Sequence, residues 1–189
     1  MMAKVMKGAA LVSFLLTILF SALYCFNLSW ALAIAITFGT CFYHFAMRLL
    51  VGHILNGIIQ NKADYRKPWY QLRPFERKLY HVLNVKKWKG NMPTYTPDIF
   101  DPKLHSWDEI AQAMCQAEIV HEVIVVLSFL PLLAAVPFGA FPVFLTTSLL
   151  AAMYDLTFVI MQRYNRPRIL KFLQLSHKRA ERSNEHMEP

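Results

Sequence analysis

The chain has 189 residues, is 56% hydrophobic with a mean hydropathy of +0.31, and carries 20 Lys and Arg against 12 Asp and Glu, a formal charge of +8. That length suits one domain and leaves little room for a separate soluble module, while apolar spans joined by basic loops account for both the hydropathy and the charge. Cys25, Cys41 and Cys115 lack metal-ligand spacing and two of them lie in apolar runs, which favours packing thiols over a disulfide framework or a zinc site.

In chain order, four apolar runs, residues 9–26, 29–50, 118–138 and 141–161, are each close to the length of about 20 residues that a hydrocarbon core requires. The first follows Lys4 and Lys7, as a signal peptide would. It is longer than a signal core, lacks a small-x-small cleavage site and is followed at once by another span, so it reads as a retained helix. The links Asn27-Leu28 and Gly139-Ala140 contain no Lys or Arg, whereas the N-terminus, the long middle segment and the tail hold nearly all of them. By the positive-inside rule, both termini and the segment 54–116 are expected on the cytoplasmic side of a bacterial-type cell membrane. The expected fold is all-α integral membrane, a single domain over 1–182 with four transmembrane helices as two hairpins and a long basic cytoplasmic connection. The polar tail, 183–189, reads as disordered.

The connection interleaves basic residues with aromatics, as in "RKPWYQLRPFERKLYHVLNVKKWKG". Trp69, Trp88 and Trp107 are expected at headgroup level while Lys and Arg meet anionic lipid, so the partner this charge implies is the bilayer and not nucleic acid. Pro74 can open a short amphipathic helix lying on the membrane, with Phe75, Leu79 and Val82 on one face. "MPTYTPDIFDP" is expected to run extended, because each proline disfavours helix at the residue before it. "SWDE", Ser106 to Glu109, matches a capping box, so a helix is expected to start there and to continue into the third span, with a kink at Pro131. No internal repeat or low-complexity tract is present.

Ionisable residues inside the spans form a polar layer toward their cytoplasmic half. His44 and Arg48, four residues apart, share a face of the second span, and Asp155 precedes the basic end of the fourth. A charge facing lipid costs about 3 kcal/mol or more, so these side chains are expected to face one another or a wet cavity. "AEIVHEVIVVLSFLPLL" opens the third span with Glu118, His121 and Glu122, whose spacings of three and four bring both partners onto the face of Glu118. Such a set serves either as ion pairs that hold helices together or as an acid–base site, and a histidine between two carboxylates favours the site. Metal catalysis is disfavoured: E-x-x-H occurs in carboxylate-bridged di-iron bundles, but those need it on two helices, and H-E-x-x-H is absent.

The fourth span ends in "FVIMQRYNRPRILKFLQLSHKRAER". With "VKKWKGNMPTYTPDIFD" and "QAEIVHEVIVVLSFLPLL", it resembles the glycosyl-4,4'-diaponeurosporenoate acyltransferase family, membrane enzymes associated with the last step of staphyloxanthin synthesis. The resemblance covers residues 85–182 and is strongest at "QRYNRPR". It implies transfer of a fatty acyl group to a sugar hydroxyl of a glycosylated carotenoid or similar glycolipid. The implied partners are the bilayer, a lipid-linked glycoside acceptor and an acyl donor, either acyl-CoA or an acyl carrier, with no bound cofactor. It brings no catalytic residue set with it, and the chain has neither an H-x-x-x-x-D motif nor a G-x-S-x-G elbow.

Site residues are therefore assigned from chemistry. A sugar hydroxyl is a poor nucleophile near neutral pH, which calls for a base; His121 is the candidate, oriented by Glu118 or Glu122. Arg48, Arg163 or Asn165 is expected to stabilise the oxyanion, Arg166 and Arg168 to hold donor phosphates, and His44 and Asp155 to support the polar layer. Asn165-Arg166-Pro167 is expected to end the fourth helix. Two other functions fit the same features: transfer of another group, such as methyl, on an isoprenoid lipid, and a non-catalytic membrane subunit of a lipid-synthesis complex.

Overall fold

Where no water reaches the peptide groups, a spanning backbone must satisfy its own hydrogen bonds, and the apolar runs do so mainly as helices. The computed structural model describes residues 2–185, which hold helices and turns but no β-strand. The helices are α1 (Met2–Cys25), α2 (Ala31–Ile59), α3 (Pro74–Val82), α4 (Val85–Trp88), α5 (Trp107–Leu127), α6 (Ala135–Phe138) and α7 (Phe141–Glu185). Four helical segments, Ala3–Cys25, Ala31–Ile59, Trp107–Phe138 and Phe141–Arg179, are long and apolar enough to cross a membrane. α2 and α7 run well past the apolar stretches that reveal them, because hydropathy marks only the part of a helix suited to lipid. The expected disorder of the tail does not extend to 183–185, which end α7, and for 186–189 it lies outside the described residues.

The described chain divides into two compact units. The first comprises the chain up to Leu55 with Pro93–Tyr95 and Val120–Leu156; the second comprises Asn56–Met92, Thr96–Ile119 and the chain from Thr157 on.

In the first unit, α1 meets α2 through aromatic rings. Phe14 lies 5.0 Å from Phe42, and Phe20 stacks on Phe38 at 6.1 Å. Asn27 adopts the positive φ of 66° in the tight link between the two helices, a conformation asparagine tolerates better than most residues. Met47 and Val51 of α2 bury against Ile124 of α5, with Tyr43, Leu55, Val120, Val123 and Leu127 packed around them. The phenol of Tyr43 donates to the carbonyl of Leu127 at 2.7 Å. In a continuing helix residue 131 would serve that carbonyl, but residue 131 is a proline and has no N–H. α5 therefore stops at Leu127, and the chain continues through a 3-10 turn, Leu130–Ala134, into α6, where the sequence led us to expect a kinked but continuous helix.

In the second unit, the capping box at the start of α5 is made as expected. The Ser106 amide donates to Glu109 Oε2 at 2.8 Å and the Glu109 amide to Ser106 Oγ at 3.3 Å. Ala63, Tyr70 and Cys115 form a small core with Ile59, Tyr65 and Ile119, and Tyr65 donates its phenol to Asp108 at 2.7 Å. That bond and partial burial raise the Tyr65 pKa above its ordinary value. Gln116 accepts from the Asn61 amide at 2.6 Å and donates to Asn56 at 3.0 Å. Pro74 opens α3 as expected, with Glu76 reaching back to the Arg73 amide at 3.0 Å. The stretch expected to be extended is only partly so, because Pro97–Phe100 closes into a 3-10 turn whose first position suits the restricted φ of proline.

The expected stop before Pro167 is also overturned: α7 runs straight through it. A proline inside a helix costs about 3 kcal/mol, mainly through the lost bond to the carbonyl four residues back. Here Arg163 and Arg166, in the turn before Pro167, are anchored by their side chains, and those anchors offset the cost.

Candidate functional site

Two polar clusters stand out, one within each unit. In the first unit, α2 contributes His44 and Arg48, α5 contributes His121, and α7 contributes Asp155. The four-residue spacing lets the Arg48 Nη1 donate to the carbonyl of His44 at 2.8 Å, while Nη2 reaches the carbonyl of Ala151 at 3.3 Å and forms an ion pair with Asp155 Oδ2. The other carboxylate oxygen, Oδ1, lies 2.9 Å from His121 Nδ1. Asp155 is 1% exposed, so its charge would be costly without Arg48 beside it. Arg48 supplies the balancing charge and fixes the position of the carboxylate.

A carboxylate on Nδ1 decides the chemistry of the neutral imidazole: the proton sits on Nδ1 and the lone pair on Nε2. This is the arrangement in which a buried acid holds a histidine in the tautomer and orientation needed for proton transfer. The His121 side chain is 22% exposed, against 2% for that of Asp155, so the base borders an accessible space while its orienting acid does not. His44 belongs to the same cluster: its ring is edge-on to Tyr43, and neither of its shielded nitrogens has a hydrogen-bond partner among the described residues. Glu122 is partly exposed on α5.

In the second unit, Glu118 is 0% exposed. Its Oε1 accepts from Arg163 Nη1 at 2.6 Å, and its Oε2 forms an ion pair with Arg166 Nη2. Arg163 also donates Nε to Glu76 Oε1 at 2.7 Å, Nη1 to the carbonyl of Trp69 at 2.9 Å and Nη2 to that of Gln71 at 3.0 Å. Arg166 donates Nη1 to the carbonyl of Tyr70 at 2.8 Å and lies over the Tyr70 ring at 5.1 Å. Two arginines thus tie down three consecutive carbonyls, which the 3-10 turn Pro68–Tyr70 and the residue after it present together. Two carboxylates and two guanidiniums balance in charge, and the planar fork of arginine is the group able to satisfy so many acceptors at once.

The remaining residues of "QRYNRPR" sit around this clamp. Asn165 accepts a hydrogen bond from Lys89, whose ammonium also lies 4.8 Å from the centre of the Tyr164 ring. Arg168 is exposed over the Phe172 ring at 5.7 Å. Tyr80, buried beside Glu76 and edge-on to Tyr164, has its pKa pushed up to about 12, first by burial and then by the Glu76 charge.

The sequence thus anticipated the members of both clusters except Glu76, but paired them differently. Glu118 meets Arg163 and Arg166, while His121 meets Asp155. For Glu76 the sequence signal was its third position in the helix opened by Pro74, which explains the bond to the Arg73 amide and says nothing of Arg163.

A family model described as glycosyl-4,4'-diaponeurosporenoate acyltransferase matches residues 66–175, more than half of the chain. The chain belongs to this acyltransferase family. The matched segment contains Glu76, Glu118, His121, Glu122, Asp155, Arg163, Asn165, Arg166 and Arg168, and begins after His44 and Arg48. No curated protein and no solved structure matches the chain.

Proposed function

We propose that the protein is a multi-pass membrane acyltransferase that moves a fatty acyl group from a thioester donor to a sugar hydroxyl of a glycosylated carotenoid or similar glycolipid. His121 is its general base and Asp155 its positioning residue. The observation that carries this reading is the 2.9 Å contact between His121 Nδ1 and a buried Asp155 carboxylate, in a chain of an acyltransferase family. An ion pair serving only to join helices needs no histidine, and methyl transfer needs no oxyanion site.

The sugar hydroxyl gives its proton to His121 Nε2 as its oxygen attacks the thioester carbonyl. The tetrahedral intermediate collapses with cleavage of the C–S bond, and the imidazolium returns the proton to the departing thiolate. An ester and a thiol result, and the enzyme is unchanged. Asp155 holds the imidazole and stabilises its charged form, and Arg48 anchors the Asp155 carboxylate. Because Arg48 is engaged with Asp155 and two carbonyls, His44 is the better donor to the oxyanion: it lies in the same cluster with an N–H to offer.

Charge asymmetry further supports cytoplasmic termini and a cytoplasmic 54–116 segment, so that the donor is met on that side. In a variant lacking the native cysteines, Gly90→Cys should resist an impermeant thiol reagent added from outside and Ala140→Cys should react; the reverse pattern overturns this orientation. The function itself is tested by lipid mass spectrometry of cells carrying wild-type protein, His121→Ala or no protein. Only wild-type cells should show a glycolipid heavier by an acyl chain, and identical lipid profiles in all three remove the reading.

A further inference from the structure

A cleft of about 560 Å³ opens in the second unit, lined by Leu72, Arg77, Tyr80, His81, Asn84 and Lys86, with Tyr164 and Pro167 of α7. Its volume lies within the range of about 300–1,000 Å³ usual for small-molecule sites. Three of the lining side chains are basic. Arg77 and His81 are four residues apart on α3 and share a face; Lys86 comes from α4, after a turn in which Asn84 adopts a φ of 50°. No carboxylate among the described residues forms an ion pair with any of the three. The nearest acid on α3, Glu76, is buried and held by Arg163.

The excess of positive charge is felt next door. The Lys89 pKa is lowered, first by burial and then by the charges of Arg168 and Lys86. An anion in the cleft relieves that repulsion. The rings of Tyr164 and Tyr80, packed edge-on, offer an apolar wall to a flat group.

Phosphate oxygens fit this lining, and they have two sources, a lipid headgroup and a soluble carrier. The geometry of α3 separates them. Phe75, Leu79 and Val82, 58%, 39% and 79% exposed, form one face of α3, whereas Arg77 and His81 lie on the opposite side at 100° per residue. If the apolar face rests on lipid, as its exposure demands, the basic face turns to water.

We infer that this cleft binds the phosphorylated end of the acyl donor, and that the donor is a nucleotide-bearing thioester of the coenzyme A kind. The inference rests on the acyltransferase reading for the word donor, but the site can be tested without turnover. Coenzyme A should bind the purified full chain saturably in detergent and in nanodiscs of neutral lipid. Arg77→Ala with Lys86→Ala should raise its Kd about tenfold or more, and removing the 3'-phosphate from the ligand should weaken wild-type binding. Both side chains are exposed; a thermal melt checks the fold, and the single Lys86→Gln provides a second, milder variant expected to shift Kd in the same direction.

Equal Kd values for wild type and both variants overturn the inference. So does a double variant that loses only its association with anionic vesicles, which assigns the cleft to headgroups. Acyl transfer from a phosphate-free thioester by a protein that does not bind coenzyme A overturns the inference and leaves the acyltransferase reading standing. Coenzyme A binding that the variants weaken, in a protein that acylates no glycolipid, upholds the site and removes the acyltransferase reading.

Discussion

The two polar clusters are built from the same residue types, yet one resembles a brace and the other a working site. Around Glu118 both carboxylate oxygens are taken by arginines, and both arginines are spent on further acceptors that hold residues 69–71. Around Asp155 the carboxylate is divided between Arg48, which balances its charge, and the imidazole of His121, which it orients. His44 stands in that cluster with both ring nitrogens unpaired among the described residues. In the brace, Arg166 Nε is left without a partner among the described residues, but both guanidiniums keep their protons at any physiological pH and are spent on carboxylates and backbone carbonyls, which marks structure. A histidine oriented by a buried acid at the edge of an accessible space marks chemistry.

The largest effect expected from this contrast lies in the brace. Glu118→Gln leaves two guanidiniums without their shared charge, and removing one partner of a buried ion pair costs about 3–5 kcal/mol. The midpoint of thermal aggregation in detergent should fall steeply, while whatever protein remains folded turns over normally. A normal midpoint with lost turnover would exchange the roles of the two clusters.

In the working cluster the signs reverse. His121→Ala should lower kcat by about 10²-fold or more, with melting close to wild type. Undiminished turnover in the folded variant takes His121 out of the mechanism. Asp155→Asn should also lower kcat about 10²-fold, because an amide can hold the imidazole in the wrong tautomer. As a positioning effect it should be partly restored by Asp155→Glu, which keeps the carboxylate; a purely structural Asp155 would show no such recovery.

Smaller changes sharpen the comparison. Replacing Arg163, Arg166 and Arg168 together by lysine keeps every charge but loses the planar fork, and the weakened carbonyl bonds should cost about 1–3 kcal/mol of stability. Donor saturation curves should overlap with wild type; a raised KM for the donor would instead move these arginines to the donor site. Least of all, Tyr43→Phe removes the bond to the Leu127 carbonyl and should cost about 1 kcal/mol in the same melt.

Much of this architecture was legible from residue order alone. Hydropathy located four spans because the cost of burying polar groups in lipid depends on composition, not on partners. The Ser106–Glu109 cap and the start of α3 at Pro74 were legible because both depend on residues within one turn. What escaped the sequence was local rules meeting distant partners. Pro131 ends α5, with Tyr43, 84 residues away, satisfying the carbonyl left behind, whereas Pro167 is carried within α7 between anchored arginines. Spacing on one helix put Glu118 beside His121, and spacing cannot tell which of two neighbouring acids a base will face. Packing decided that: residues three apart on α5 are turned by about 60° from one another, enough for each to find its own partners, and only the tertiary structure supplies Arg163 and Arg166 to one and Asp155 to the other.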